Sequence, residues 1–102
     1  MIRHIFLGTV RDGIPDEQVD ELIRAWSTMP GRVPGLRRLT AGRNVSPRDH
    51  RYSLALVADL DDMRAWEGYM EHPEHLAIIQ RLSSRVIVPE SRTMAQLEVA
   101  DG

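Results

Sequence analysis

Tyr69-Met70-Glu71-His72-Pro73-Glu74-His75 is the stretch on which the reading of this chain turns. It sets a phenol and two imidazoles around a proline. Proline lacks an N–H and has a fixed φ, so it opens a helix and ends whatever precedes it. His72 therefore closes one helix as Pro73 begins the next. Tyr69 and His75 bracket that break, and the spacing can bring a proton donor and a proton acceptor to one cavity wall.

Upstream of the break, Met63, Trp66 and Met70 make an apolar helical stripe with Tyr69 alongside, and Asp61 is the expected N-cap. Downstream, Leu76, Ile79 and Leu82 recur at helical spacing. Val86-Ile87-Val88 leads into a last strand near residues 92–99, with Pro89 marking a break. Residues 51–60 read as a strong strand: Leu54, Leu56, Ala58 and Leu60 share one face, Ala55 and Val57 the other. Residues 36–45 form a weaker strand whose basic start, Arg37-Arg38, is exposed. It ends in Gly42-Arg43-Asn44-Val45, and Ser46-Pro47-Arg48-Asp49 is a polar loop. At the N-terminus, residues 2–10 alternate, with Ile2, His4, Phe6, Gly8 and Val10 on one face and Arg3, Ile5, Leu7 and Thr9 on the other. Asp12-Gly13 turns the chain into a helix in which Val19, Leu22, Ile23, Trp26 and Met29 hold one face. Pro15 suits its first turn, Asp16 and Glu17 its positive end, and Met29-Pro30-Gly31 stops it.

The order is β-α-β-β-α-β, the ferredoxin-like pattern of an α+β fold with an antiparallel sheet. Helices cover one face of such a sheet, yet the strands here are apolar on both. An uncovered apolar sheet face is an interaction surface. The simplest closure is a twofold homodimer whose sheets pack into one dimeric α+β barrel.

The 102 residues make one domain, 1–102, with no linker or internal repeat. A composition of 42% hydrophobic and 27% charged residues is that of an ordinary globular chain, and a net charge of −2 offers no field for nucleic acid or anionic membrane. There is no cysteine, so disulfides, zinc–thiolate sites and thiol nucleophiles are excluded. No apolar run suits a signal peptide or a transmembrane helix, and the expected location is cytoplasmic.

The Gly42-Arg43-Asn44-Val45 piece, the early His4, the turn at Pro34-Gly35 and the Tyr69…His72-Pro73-Glu74-His75 run together resemble the stress-responsive A/B barrel, or Dabb, family over nearly the whole chain. The resemblance implies a dimeric barrel with a cleft between sheet and helices in each subunit. Many members have no assigned reaction. A plant member closes a polyketide ring by aldol chemistry without a cofactor, using a Tyr and a His that fall on Tyr69 and His75. Its early strand His falls on His4, and a pocket Tyr falls near Trp26. A third-strand His falls on Leu54, so this chain departs from that cyclase at the last two positions.

The resemblance implies His75 as base, Tyr69 as donor and His4 as an orienting or polarising group, with Phe6, Trp26, Leu54, Leu56 and His72 as candidate ligand contacts. An imidazole titrates near neutrality and a phenol donates, the two roles that an aldol or isomerisation site needs. A structural reading stands beside it: His75 caps a helix, Tyr69 packs on the helix face, and His4 is a hydrogen-bonded core histidine. His72 and His75 lie three apart, but the proline between them breaks helical geometry and no third ligand is evident, so no metal site is expected. Trp26 and Trp66 read first as core residues, His50 as solvated, and Arg32, Arg37, Arg38, Arg43, Arg48 and Arg51 as a solvated rim.

Three functions compete. The first is a stress-associated or binding module whose cleft holds a small apolar or aromatic molecule. The second is a cofactor-independent cyclase-like enzyme. The third is a cofactor-free oxygenase of the kind found on similar barrels.

Overall fold

The computed structural model describes residues 1–101. Strand β1 (Ile2–Gly8) leads to helix α1 (Asp16–Ser27), then strands β2 (Leu36–Arg43) and β3 (Leu54–Leu60). Helix α2 (Met63–Glu71) is followed by α3 (Pro73–Ile78), a π-helical turn (Ile79–Ser83) and a last short helix α4 (Ser84–Val86). A 3-10 turn at Pro89–Ser91 precedes strand β4 (Thr93–Glu98). The sheet order is β2-β3-β1-β4 with every neighbouring pair antiparallel. This is the ferredoxin-like α+β arrangement.

Alternation along the strands sorts the two faces. Ile2, Leu54, Leu56, Ala58 and Leu60 are buried under the helices against Val19, Leu22 and Trp26 of α1 and Tyr69 and Ile78 of the second helical segment. The opposite face has no helix on it. Ile5 and Leu7 are half-buried there, and Val57 and Leu97 are 37% and 46% exposed. Apolar character on both faces thus holds for β1 and β3. On edge strand β2 the open face carries Arg38, Thr40 and Gly42 instead. Arg3 and Asp59 close one end of that face through two hydrogen bonds of 2.8 and 3.2 Å.

Several boundaries differ from the sequence reading. The first strand stops at Gly8, leaving Val10 as an isolated bridge to Ile87. The second and third strands stop and start nearer their cores because Asn44 ties up the intervening loop. Its amide donates to the carbonyls of Asp49 and Tyr52 at 2.9 and 2.8 Å, and its oxygen accepts from the Ser46 N–H at 2.9 Å. The N-cap of α2 is Asp62 rather than Asp61: the Asp62 side chain accepts from the Ala65 N–H at 2.8 Å. Asp61 is drawn away by Arg37, at 2.6 Å.

Gly35 makes the tight return into β2. Its φ is +79°, and a Cβ there would stand 2.6 Å from the Cβ of Ala65. Glycine is therefore required twice over, by backbone and by space. Among the described residues no helix is long and apolar enough to cross a membrane.

Candidate functional site

Pro73 is what brings the phenol and the imidazole together. In an unbroken helix, residues six apart lie about 120° apart around the axis. Here His72 adopts an extended conformation and serves as C-cap of α2 and N-cap of α3, its Nδ1 accepting from the Glu74 N–H at 3.1 Å. The chain bends back, and the His75 ring stacks on Tyr69 with centroids 4.4 Å apart at 18°. From β1, His4 meets the edge of Tyr69 at 5.8 Å and 64°.

These three side chains line a cavity of about 400 Å³ between sheet and helices. Phe6 and Trp26, in edge contact at 5.8 Å, and Leu56 and Met70 make its apolar wall. Ile79 and Ser83, the first and last residues of the π-helical turn, add to it from above. Pro89, Arg92 and Met94 complete the side nearest β4.

Hydrogen-bond partners decide the protons. The indole N–H of Trp66 can only donate, and it does so to His4 Nδ1 at 3.1 Å. Gln96, opposite His4 in the β1–β4 register, donates its amide to the same nitrogen at 3.1 Å. Nδ1 is therefore the unprotonated nitrogen, and Nε2 carries the hydrogen. His75 is the reverse. Its Nδ1 faces the carbonyl of Met70 at 3.3 Å, which can only accept, so Nδ1 is the donor and Nε2 is the free basic nitrogen. His75 thus caps the end of α2, where carbonyls lack helical partners. Among the described residues the Tyr69 hydroxyl has no protein partner, and no buried side-chain polar atom is left sealed and unsatisfied. The wall presents one acceptor, His75 Nε2, and two donors, His4 Nε2–H and Tyr69 O–H.

Burial sets the charge states. His4, 2% exposed, has its pKa lowered to about 4 by desolvation, with repulsion from His75 adding to it. Desolvation also lowers His75, while its bonds to the Met70 and Tyr69 carbonyls pull the other way. Burial raises the Tyr69 phenol. At neutral pH all three are uncharged.

Not every expected contact falls here. Phe6, Trp26 and Leu56 line the cavity, but Leu54 does not. It is fully buried at the far end of β3, across from Gly8 and Arg43, where the Arg43 guanidinium is bound to Asp20 of α1 at 2.6 Å. His72 is also outside. Its capping role turns it toward a separate, more open hollow beside Asp61 and Arg64. Trp66, expected as plain core, bonds His4 through its ring nitrogen. The sequence alone does not single out Gln96 or Arg92. Strand alternation could have placed both on the helix-side face, but only with the β1–β4 register in hand.

The description "Stress Responsive A/B Barrel Domain" belongs to the family profile that matches residues 2–95. The chain is a member of this Dabb family. An uncharacterised protein of Streptomyces coelicolor is 33% identical over 79 residues, covering 76% of this chain and 81% of that one. A dimeric ferredoxin-like protein of unknown function from Thermobifida fusca is 30% identical, with a TM-score of 0.81 over 96% of this chain and 90% of that one. A hydroxynitrile lyase from Passiflora edulis superposes with a TM-score of 0.81 over 99% and 94% of the two chains. Its identity is 13%, so that likeness is one of fold.

Proposed function

We propose that the cavity binds a small, mostly apolar carbonyl compound and moves a proton on it, with His75 as base and Tyr69 and His4 as donors. One observation carries this reading: an unpartnered basic nitrogen and two unpartnered donors stand on one wall of an apolar cavity. His75 Nε2 would take a proton from the carbon beside the carbonyl. The C–H electron pair would move to the carbonyl oxygen, where Tyr69 O–H and His4 Nε2–H hold the enolate. In an aldol closure the enolate carbon attacks a second carbonyl, whose oxygen takes the proton back from His75. In an isomerisation the proton returns to another carbon.

The chain has neither lysine nor cysteine, so a side-chain Schiff base or thiol adduct is not the route. A hydroxynitrile lyase shares this fold, so the scaffold is one on which an enzyme occurs. We further propose that two copies pair through the open sheet face, as suits a relative that is dimeric. A cytoplasmic setting goes with the cysteine-free sequence.

The test is α-hydrogen exchange of hexanophenone in D2O, followed by NMR, with calorimetric binding in parallel. Wild-type protein should accelerate exchange, and His75→Gln should remove at least ~100-fold of that acceleration, in the range of general-base contributions. Exchange that is no faster than in buffer, or is untouched by His75→Gln, sinks the catalytic reading. Binding without exchange would favour a binding module. That second reading has its own support, since each imidazole already commits one nitrogen to the protein.

A further inference from the structure

The mouth of the cavity differs from its interior. Arg92 stands there, exposed, just before β4. Among the described residues it is the one charged side chain on the wall, and no carboxylate lines the cavity. Its Nε donates to the carbonyl of Pro89 at 3.2 Å, which anchors the base of the guanidinium. Among the described residues the two terminal nitrogens have no protein acceptor, and no carboxylate lies within ion-pairing distance. Among the described residues five of the other twelve arginines are paired with Asp or Glu, so it is the place of Arg92 on the cavity wall, and not its lack of a carboxylate partner alone, that sets it apart. A guanidinium fork with its free edge at an apolar opening matches a planar anion.

The register gives the distance. Gln96 lies opposite His4, and Arg92 precedes it by four residues along extended backbone, with Met94 between them on the same face. Four residues of strand span roughly 13 Å. Met94 and Phe6, paired across β4 and β1, make an apolar floor over that interval.

The geometry points to an amphipathic carboxylic acid as the ligand class: its carboxylate on Arg92 at the mouth, an apolar body over Phe6 and Met94, and its carbonyl at His75, Tyr69 and His4. This inference rests on the cavity being the binding site, as proposed above. Arg92 would act as a specificity residue and take no part in the proton transfer.

The experiment is isothermal titration with 8-oxo-8-phenyloctanoate and its methyl ester, which share a body and differ in charge. The wild-type protein should bind the acid about tenfold more tightly than the ester, a gap worth one charge-assisted contact. Arg92→Gln should bring the acid down to the ester's affinity and leave the ester unchanged, while Arg92→Lys should keep part of the gap. Circular dichroism verifies that each variant is folded. If acid and ester bind alike, or if Arg92→Gln leaves the preference intact, the anion subsite is wrong and the cavity reading survives. If neither probe binds wild-type protein, nor does hexanophenone, the cavity reading fails and takes this inference with it.

Discussion

His4 is a donor because of two neighbours that never reach the cavity. With the Trp66 indole and the Gln96 amide both donating to Nδ1, a proton there has no acceptor to meet. The depressed pKa has a consequence for stability. Its ordinary value is 6.5 and its folded value about 4, so the unfolded chain binds the extra proton first. Stability is full above about pH 6.5 and falls as pH drops toward 4, by on the order of 3 kcal/mol for His4 at the end of the window. His75 adds in the same direction. Asp59, held below the carboxylate range by Arg3, loses its contribution only at lower pH. Urea melts at fixed protomer concentration from pH 7.5 to 4.5 should show the decline. Gln96→Glu would offer Nδ1 a carboxylate, raise the His4 pKa and flatten the curve. An unchanged slope in that variant would mean that His4 does not titrate as its surroundings dictate. A hydrogen-bonded core histidine at position 4 was legible in the sequence, but its partners were not. His4 and Gln96 are 92 residues apart, and only the β1–β4 register makes them partners. Leu54 and Leu56 show a related limit: they share a strand face, so alternation alone cannot say which one lies under the cavity.

At the scale of the element, the break at His72-Pro73 converts a spacing into a contact, and it was readable because proline's missing N–H acts locally. The Asn44 loop and the Gly35 return are the other devices that hold the scaffold. Gly35 is the sharper case. Gly35→Ala would force a side chain into a positive φ and push its Cβ against Ala65 on α2. The expected loss is about 1–3 kcal/mol, visible as an earlier denaturation midpoint. A midpoint within error of wild type would show that the return can be made another way. The turn at Pro34-Gly35 was visible in the sequence, but its packing against α2 was not. The one-residue error at the α2 cap has a similar origin: Asp61 and Asp62 are equivalent as letters, and Arg37, from a different strand, distinguishes them.

For the whole molecule, the sheet separates two tasks. Its helix-side face builds the cavity, and its open face carries Ile5, Leu7, Val57 and Leu97 with no cover of its own. Val57 is central to that face, paired with Ile5 on one side and Thr40 on the other. If two copies pair through this face, as proposed above, Val57→Arg should shift the protein from dimer toward monomer in sedimentation velocity, because a buried unpaired charge costs several kcal/mol. A variant that sediments like wild type would move the interface elsewhere. The two-faced pattern was plain in β1 and β3, whose alternation is between apolar groups, and faint in β2, where arginine and threonine take the outer positions. Over the cavity itself, the π-helical turn Ile79–Ser83 holds one residue more than α-helical winding would use. Losing a single codon there would let the helix rewind and rotate Ile79 and Ser83 off the wall, with Tyr69, His75 and the sheet left in place. The size of the cavity would then follow helix length, a change that comparing side chains position by position does not register.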